Sequence, residues 1–105
     1  MTFSPIAIVG RACLLPGALS PEALWTLVLE GRDQIEAVPA GRWRLEHDDV
    51  WTTPEGDPSN RTWSDRGGYV SGFESVWDPS GFAVDAATLD RLDPLFQWAL
   101  HCARE

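Results

Sequence analysis

The sequence contains no lysine: all eight of its basic residues are arginine, set against 16 acidic side chains. The net charge is −8, and no basic cluster offsets it. That excludes the usual electrostatic footprint of a nucleic-acid or anionic-membrane binder. Cysteine is equally scarce. Cys13 and Cys102 stand near opposite ends and no C-x-x-C pair occurs, so neither a disulfide scaffold nor a thiolate metal knuckle is indicated. A reduced, cytoplasmic setting is expected from that usage. No apolar run is long enough to cross a bilayer. Arg11 interrupts the first apolar region and no basic stretch precedes it, which is not the pattern of a secretory leader. Internal repeats and low-complexity tracts are also missing.

What is present suits one globular unit. The chain has 105 residues, 44% of them hydrophobic, with six tryptophans. Ile6-Ala7-Ile8-Val9, closed by Gly10, is a β-branched run without alternation, the pattern of a strand buried on both faces of an α/β sheet. Pro16-Gly17 marks a turn. Ser20 then reads as an N-cap, Pro21 as the first helical residue and Glu22 as a first-turn acid. Gly31 is the stop, so a helix over 21–30 follows, with Leu24, Leu27 and Val28 on one face. Leu19 and Leu24 have the spacing of a hydrophobic staple.

Residues 32–60 read as a long loop, with a short extended piece at 35–38 and with Trp43 and Leu45 as anchors; loops of that length are commonly functional. Gly67-Gly68 permits close backbone approach, and a short strand is expected at Tyr69-Val70. Arg61, Arg66, Asp65 and Asp78 are candidates for ion pairs beneath the loop. Asp85 is placed to cap a helix over 86–91, and Asp93-Pro94 opens a last helix. Its apolar face is expected from Phe96, Ala99, Leu100 and Ala103, with Cys102 on that side and His101 turned elsewhere. No stop signal follows Arg104-Glu105, so the sequence reads as ending inside an element.

Chemistry is thin. Strand, Gly10 and helix resemble the opening of a dinucleotide-binding unit, but the second and third glycines of G-x-G-x-x-G are absent. Cys13 as a nucleophile has no histidine nearby in sequence to act as its base, and a small turn-packing residue is the simpler reading. Cys102 reads the same way. Glu46-His47-Asp48-Asp49 is better read as a solvated acidic loop than as a metal site, because adjacent loop residues seldom converge. No catalytic, cofactor-binding or metal-ligating residue is assigned.

The order of motifs does resemble a family. Pro5-Ile6-Ala7-Ile8-Val9-Gly10, Ala12-Cys13, Pro16-Gly17-Ala18, Ser20-Pro21-Glu22-Ala23-Leu24-Trp25, Glu30-Gly31-Arg32-Asp33 and Val38-Pro39-Ala40-Gly41-Arg42-Trp43 follow the opening of β-ketoacyl synthase (ketosynthase) domains of type I polyketide and fatty-acid synthases. Gly67-Gly68-Tyr69-Val70, Trp77-Asp78-Pro79 and Leu92-Asp93-Pro94 continue the match in order. Leu14, Gly81, Ala83, Asp85-Ala86-Ala87 and Leu95-Phe96-Gln97 depart from it, mostly in the second half.

The resemblance implies that residues 1–105 are the N-terminal part of a thiolase-like α/β/α/β/α sandwich, homodimeric when whole. It implies decarboxylative Claisen condensation, with acyl groups delivered on the phosphopantetheine of an acyl carrier protein and no cofactor of its own. The remainder of the ketosynthase and the carrier protein are the implied partners. In the family the nucleophilic Cys and two catalytic His lie downstream of these motifs. Cys13 matches a scaffold cysteine, and neither His47 nor His101 matches a catalytic histidine. The segment alone is therefore expected to be inactive. A non-catalytic module that completes its fold with a partner is the alternative.

Overall fold

The computed structural model describes residues 3–105. Four helices and one two-stranded sheet are strung along an extended path. In order they are α1 (Pro21–Glu30), β1 (Ile35–Ala37), α2 (His47–Val50), β2 (Arg66–Gly68), α3 (Ala86–Leu89) and α4 (Pro94–Arg104), with a 3₁₀ turn at Phe73–Ser75. The radius of gyration is 18.5 Å, against about 13 Å for a closed globule of this length. Apolar burial is correspondingly local: among the described hydrophobic residues, only Ala18, Phe73 and Leu89 are buried.

The local elements follow the sequence closely where their signals are self-contained. Leu15 and Ala18 exchange both backbone hydrogen bonds, at 2.8 and 2.9 Å, around Pro16-Gly17. Proline first and glycine at φ 71° second is the residue order of a type II turn. Helix α1 starts where the Ser20 hydroxyl accepts from the Ala23 amide at 3.2 Å. It ends in a Schellman motif, with Gly31 N–H donating to Val28 O and Arg32 N–H to Leu27 O. Asp85 caps α3 and Asp93 caps α4 in the same manner.

β1 and β2 pair antiparallel with Ile35 opposite Gly68 and Ala37 opposite Arg66. The strand expected at Tyr69-Val70 thus lies just ahead of that position. Gly68 is needed for packing: a Cβ there would meet Pro16 Cγ at 2.9 Å, so only glycine lets the strand lie against the Pro16 turn. The ladder continues as Val38 N–H donates to Asp65 O, which closes the mouth of the loop 38–65.

Several expectations are corrected. Ile6–Val9 is not a strand; it is unpaired, and Ile6, Ile8 and Val9 are at least 90% exposed. A doubly buried strand needs neighbours on its edges and layers on its faces, and the β1–β2 pair supplies neither. The loop contains a helix, α2, signalled only by Asp48 and Asp49 in its first turn. Leu45 is exposed instead of anchoring. Asp65 faces His47, Arg66 donates to the Ile35 carbonyl and Asp78 lies beside Arg104, so the expected ion pairs are replaced by these contacts.

Candidate functional site

Two histidine–aromatic clusters and one cavity hold the side chains with chemical potential. The first cluster is built by the loop. His47 stacks between Trp43, at a centroid distance of 5.7 Å, and Trp51, at 5.3 Å. Its Nδ1 lies 3.1 Å from Asp48 Oδ1 and its Nε2 3.2 Å from Asp65 Oδ2. The hydrogen bond to Asp48 is the largest influence holding the imidazole above the usual histidine pKa; Asp65 adds to it and partial desolvation opposes it. Behind the stack, Trp51 and Thr62 form a bridge, with Thr52 N–H donating to Thr62 O at 2.9 Å and Thr62 N–H to Val50 O at 2.7 Å.

The second cluster is built by the C-terminal third. Phe73 is buried against Trp77 at 5.5 Å, edge-on to Trp98 at 6.2 Å and edge-on to His101 at 5.6 Å. Trp77 stacks on Phe82 and its indole N–H donates to Asp90 at 3.0 Å. Arg104 lies over the Phe82 ring and donates to the Asp78 and Ser80 carbonyls. Helix α4 therefore turns Gln97, Trp98 and His101 inward, while Phe96, Ala99 and Ala103 stay exposed. This reverses the expectation for His101, which is buried, and for Phe96, Ala99 and Ala103, while Leu100 and Cys102 are half-buried as expected. The ring faces of residues 73 and 77 draw in aromatic partners, and the amide of Gln97 closes the end of α3 by donating to Leu89 O.

A cavity of about 440 Å³ lies between the N-terminal segment and α4, lined by Arg11, Cys13, Ser20, Glu22, Val76 and His101. It brings a cysteine and a histidine into one place, a juxtaposition that sequence distance concealed. The chemistry of an activated nucleophile is nonetheless absent. Burial pushes the Cys13 thiol up, and Cys102 and Glu22 push it further, the opposite of the lowering that activates a cysteine nucleophile. The buried Nδ1 of His101 has no hydrogen-bond partner, so nothing orients that ring as a base. Cys102 is a free, half-buried thiol. Glu46, His47, Asp48 and Asp49 sit at the start of α2, and among the described residues no three His, Cys, Asp or Glu side chains converge as a metal site. No described helix is long and apolar enough to cross a membrane.

The sequence profile of the β-ketoacyl synthase N-terminal domain matches residues 3–105. A mycocerosic acid synthase-like polyketide synthase of Mycolicibacterium smegmatis is 34% identical over 97% of the chain. A partially reducing polyketide synthase of Menisporopsis theobromae is 38% identical over 95% of it. Polyketide synthase GfsA of Streptomyces halstedii is 35% identical over 96%. The chain spans 5%, 4% and 1% of the lengths of these three relatives. No solved structure matches it. The motif order from Pro5 to the Asp93-Pro94 helix cap and the end-to-end profile match agree: the chain belongs to the β-ketoacyl synthase N-terminal domain family.

Proposed function

We propose that this chain is the scaffolding N-terminal segment of a ketosynthase that elongates an acyl chain by decarboxylative Claisen condensation in polyketide or fatty-acid synthesis. The profile match along residues 3–105 carries the reading. In it, the segment contributes α1, the β1–β2 loop and α4 to a thiolase-like sandwich, and the nucleophile and catalytic histidines come from elsewhere in the domain. The acyl groups arrive on the phosphopantetheine of an acyl carrier protein, and the whole domain pairs as a homodimer.

Two features support a scaffold role. Cys13 is set up as a protonated packing residue. Ile6, Ile8 and Val9 on the N-terminal segment, and Trp25, Val28 and Leu29 on α1, present apolar surface that fits cover by the remainder of the domain. Each such side chain contributes about 1.5–3 kcal/mol when fully covered.

The test is acyl loading of the complete ketosynthase, followed by mapping of the acylated cysteine by mass spectrometry. The acyl group is expected outside residues 1–105, and Cys13→Ala is expected to load normally. An acyl adduct on Cys13 would overturn the scaffold reading. Failure of the intact protein to load any acyl group would favour the non-catalytic module instead.

A further inference from the structure

The loop 38–65 folds back onto its own base, and His47 makes the contact. Both ring nitrogens face carboxylate oxygens, Asp48 on one side and Asp65 on the other, at 3.1 and 3.2 Å. A neutral imidazole has one N–H and one lone pair. It can donate to only one of these carboxylates, and its lone pair then faces the other. Only the imidazolium, with two N–H groups, satisfies both contacts. The two indole faces stacked on the ring favour the same charged form.

We infer that His47 is a pH-operated clasp on the β1–β2 loop, closed as the imidazolium between Trp43 and Trp51 and loosened when the ring is neutral. The charges around the ring are one-sided. Asp48 comes from its own helix and Asp65 from the residue before β2; Glu46 shares a cavity wall with it. The nearby cations are directed away: Arg42 lies over Tyr69 and donates to Val70 O, and Arg44 pairs with Asp93. Asp65 is also the residue whose carbonyl receives Val38 N–H at the loop mouth, and the Tyr69 hydroxyl donates to the same carbonyl. Holding the Asp65 side chain therefore holds the loop at its hinge.

The direction of the pH dependence follows from the geometry. The folded-state pKa of His47 is raised, so its contribution is fully present below the unfolded value near 6.5 and is lost as pH rises through the folded value. The charged side chains are partly exposed, so added salt weakens the clasp.

Hydrogen exchange by mass spectrometry on the complete protein, corrected for intrinsic exchange, tests this between pH 6 and pH 8.5. Protection of peptides from 43–65 is expected to fall roughly two- to fivefold across that range, the size of a partly exposed ion pair. Peptides from 73–104 serve as the folding control and are expected to stay constant. His47→Phe keeps a ring for the stack and is expected to abolish the pH dependence. If that variant loses protection in the control peptides, Asp65→Asn replaces it and is expected to flatten the same profile. Wild-type protection that is flat with pH, or a pH dependence that persists in the folded variant, overturns the proposal.

Discussion

Ile8 and Phe73 are both strongly apolar, yet Ile8 is 90% exposed and Phe73 only 8%. The segment around Phe73 closes on partners supplied within these residues: Trp77, Trp98 and His101 reach its ring, and α3 and α4 are joined by Gln97. The segment around Ile8 has no such resource. A strand satisfies its amides only through a neighbouring strand, and among the described residues none is paired with it. The difference separates two kinds of stability. The aromatic cluster and the capped helices find all their partners within the described residues. An extended segment such as 6–9 pairs only where a neighbouring strand is present, and the described residues provide none.

The largest expected effect sharpens this contrast. In the complete ketosynthase, Ile8→Asp is expected to cost several kcal/mol, because the proposed cover of this segment would bury the new carboxylate. In the 105-residue chain the same change is expected to stay within about 0.5 kcal/mol, as for any exposed site. Urea denaturation of both forms measures the gap, and equal costs would erase the distinction.

Phe73→Ala approaches the comparison from the other side. It is expected to destabilise both forms by about 3–5 kcal/mol, because its ring packs within the segment. A loss confined to the complete domain would mean that the cluster also depends on outside contacts.

Smaller effects test the local code. Ser20→Ala removes the acceptor for the Ala23 amide and is expected to cost about 1 kcal/mol of α1 stability, read by circular dichroism or thermal denaturation. The smallest effect concerns acid. Hydrogen bonds from Thr88 hold the Asp85 carboxyl below its ordinary range. A depressed folded pKa contributes stability above the unfolded value and loses it as pH falls through the folded one. Asp85→Asn is thus expected to reduce the acid sensitivity of α3 slightly, measured as a shallower fall in melting temperature below about pH 4.

These contrasts also explain what the sequence made legible. Helix α1 was readable residue by residue, because Ser20, Pro21 and Gly31 each act within one turn of the helix end. The caps of α3 and α4 were readable for the same reason, although α3 stops at Leu89 instead of running to 91. The extended piece at 35–38 was placed well, and its partner was off by about one element length because glycine pairs carry little strand signal. Helix α2 was hidden by its single turn and by Glu46, which makes no side-chain cap bond. The orientation of α4 is hard to read from sequence because Phe96, Ala99, Leu100 and Ala103 make a more apolar stripe than the polar–aromatic face of Gln97, Trp98 and His101 that turns inward. The cavity joining Cys13 to His101 was invisible, since it depends on how the two ends of the chain approach. Family membership, in contrast, was readable from motif order alone, and the profile match over residues 3–105 agrees.

In the proposed reading, Ile6–Val9, unpaired among the described residues, is paired and covered by the remainder of a ketosynthase. Amide hydrogen exchange at Ile6–Val9, compared between the complete domain and the 105-residue chain, tests it most directly. Strong protection of these amides is expected in the complete domain and free exchange in the short chain, with α1 protected more in the first than in the second. Rapid exchange at Ile6–Val9 in the complete, folded domain would contradict it.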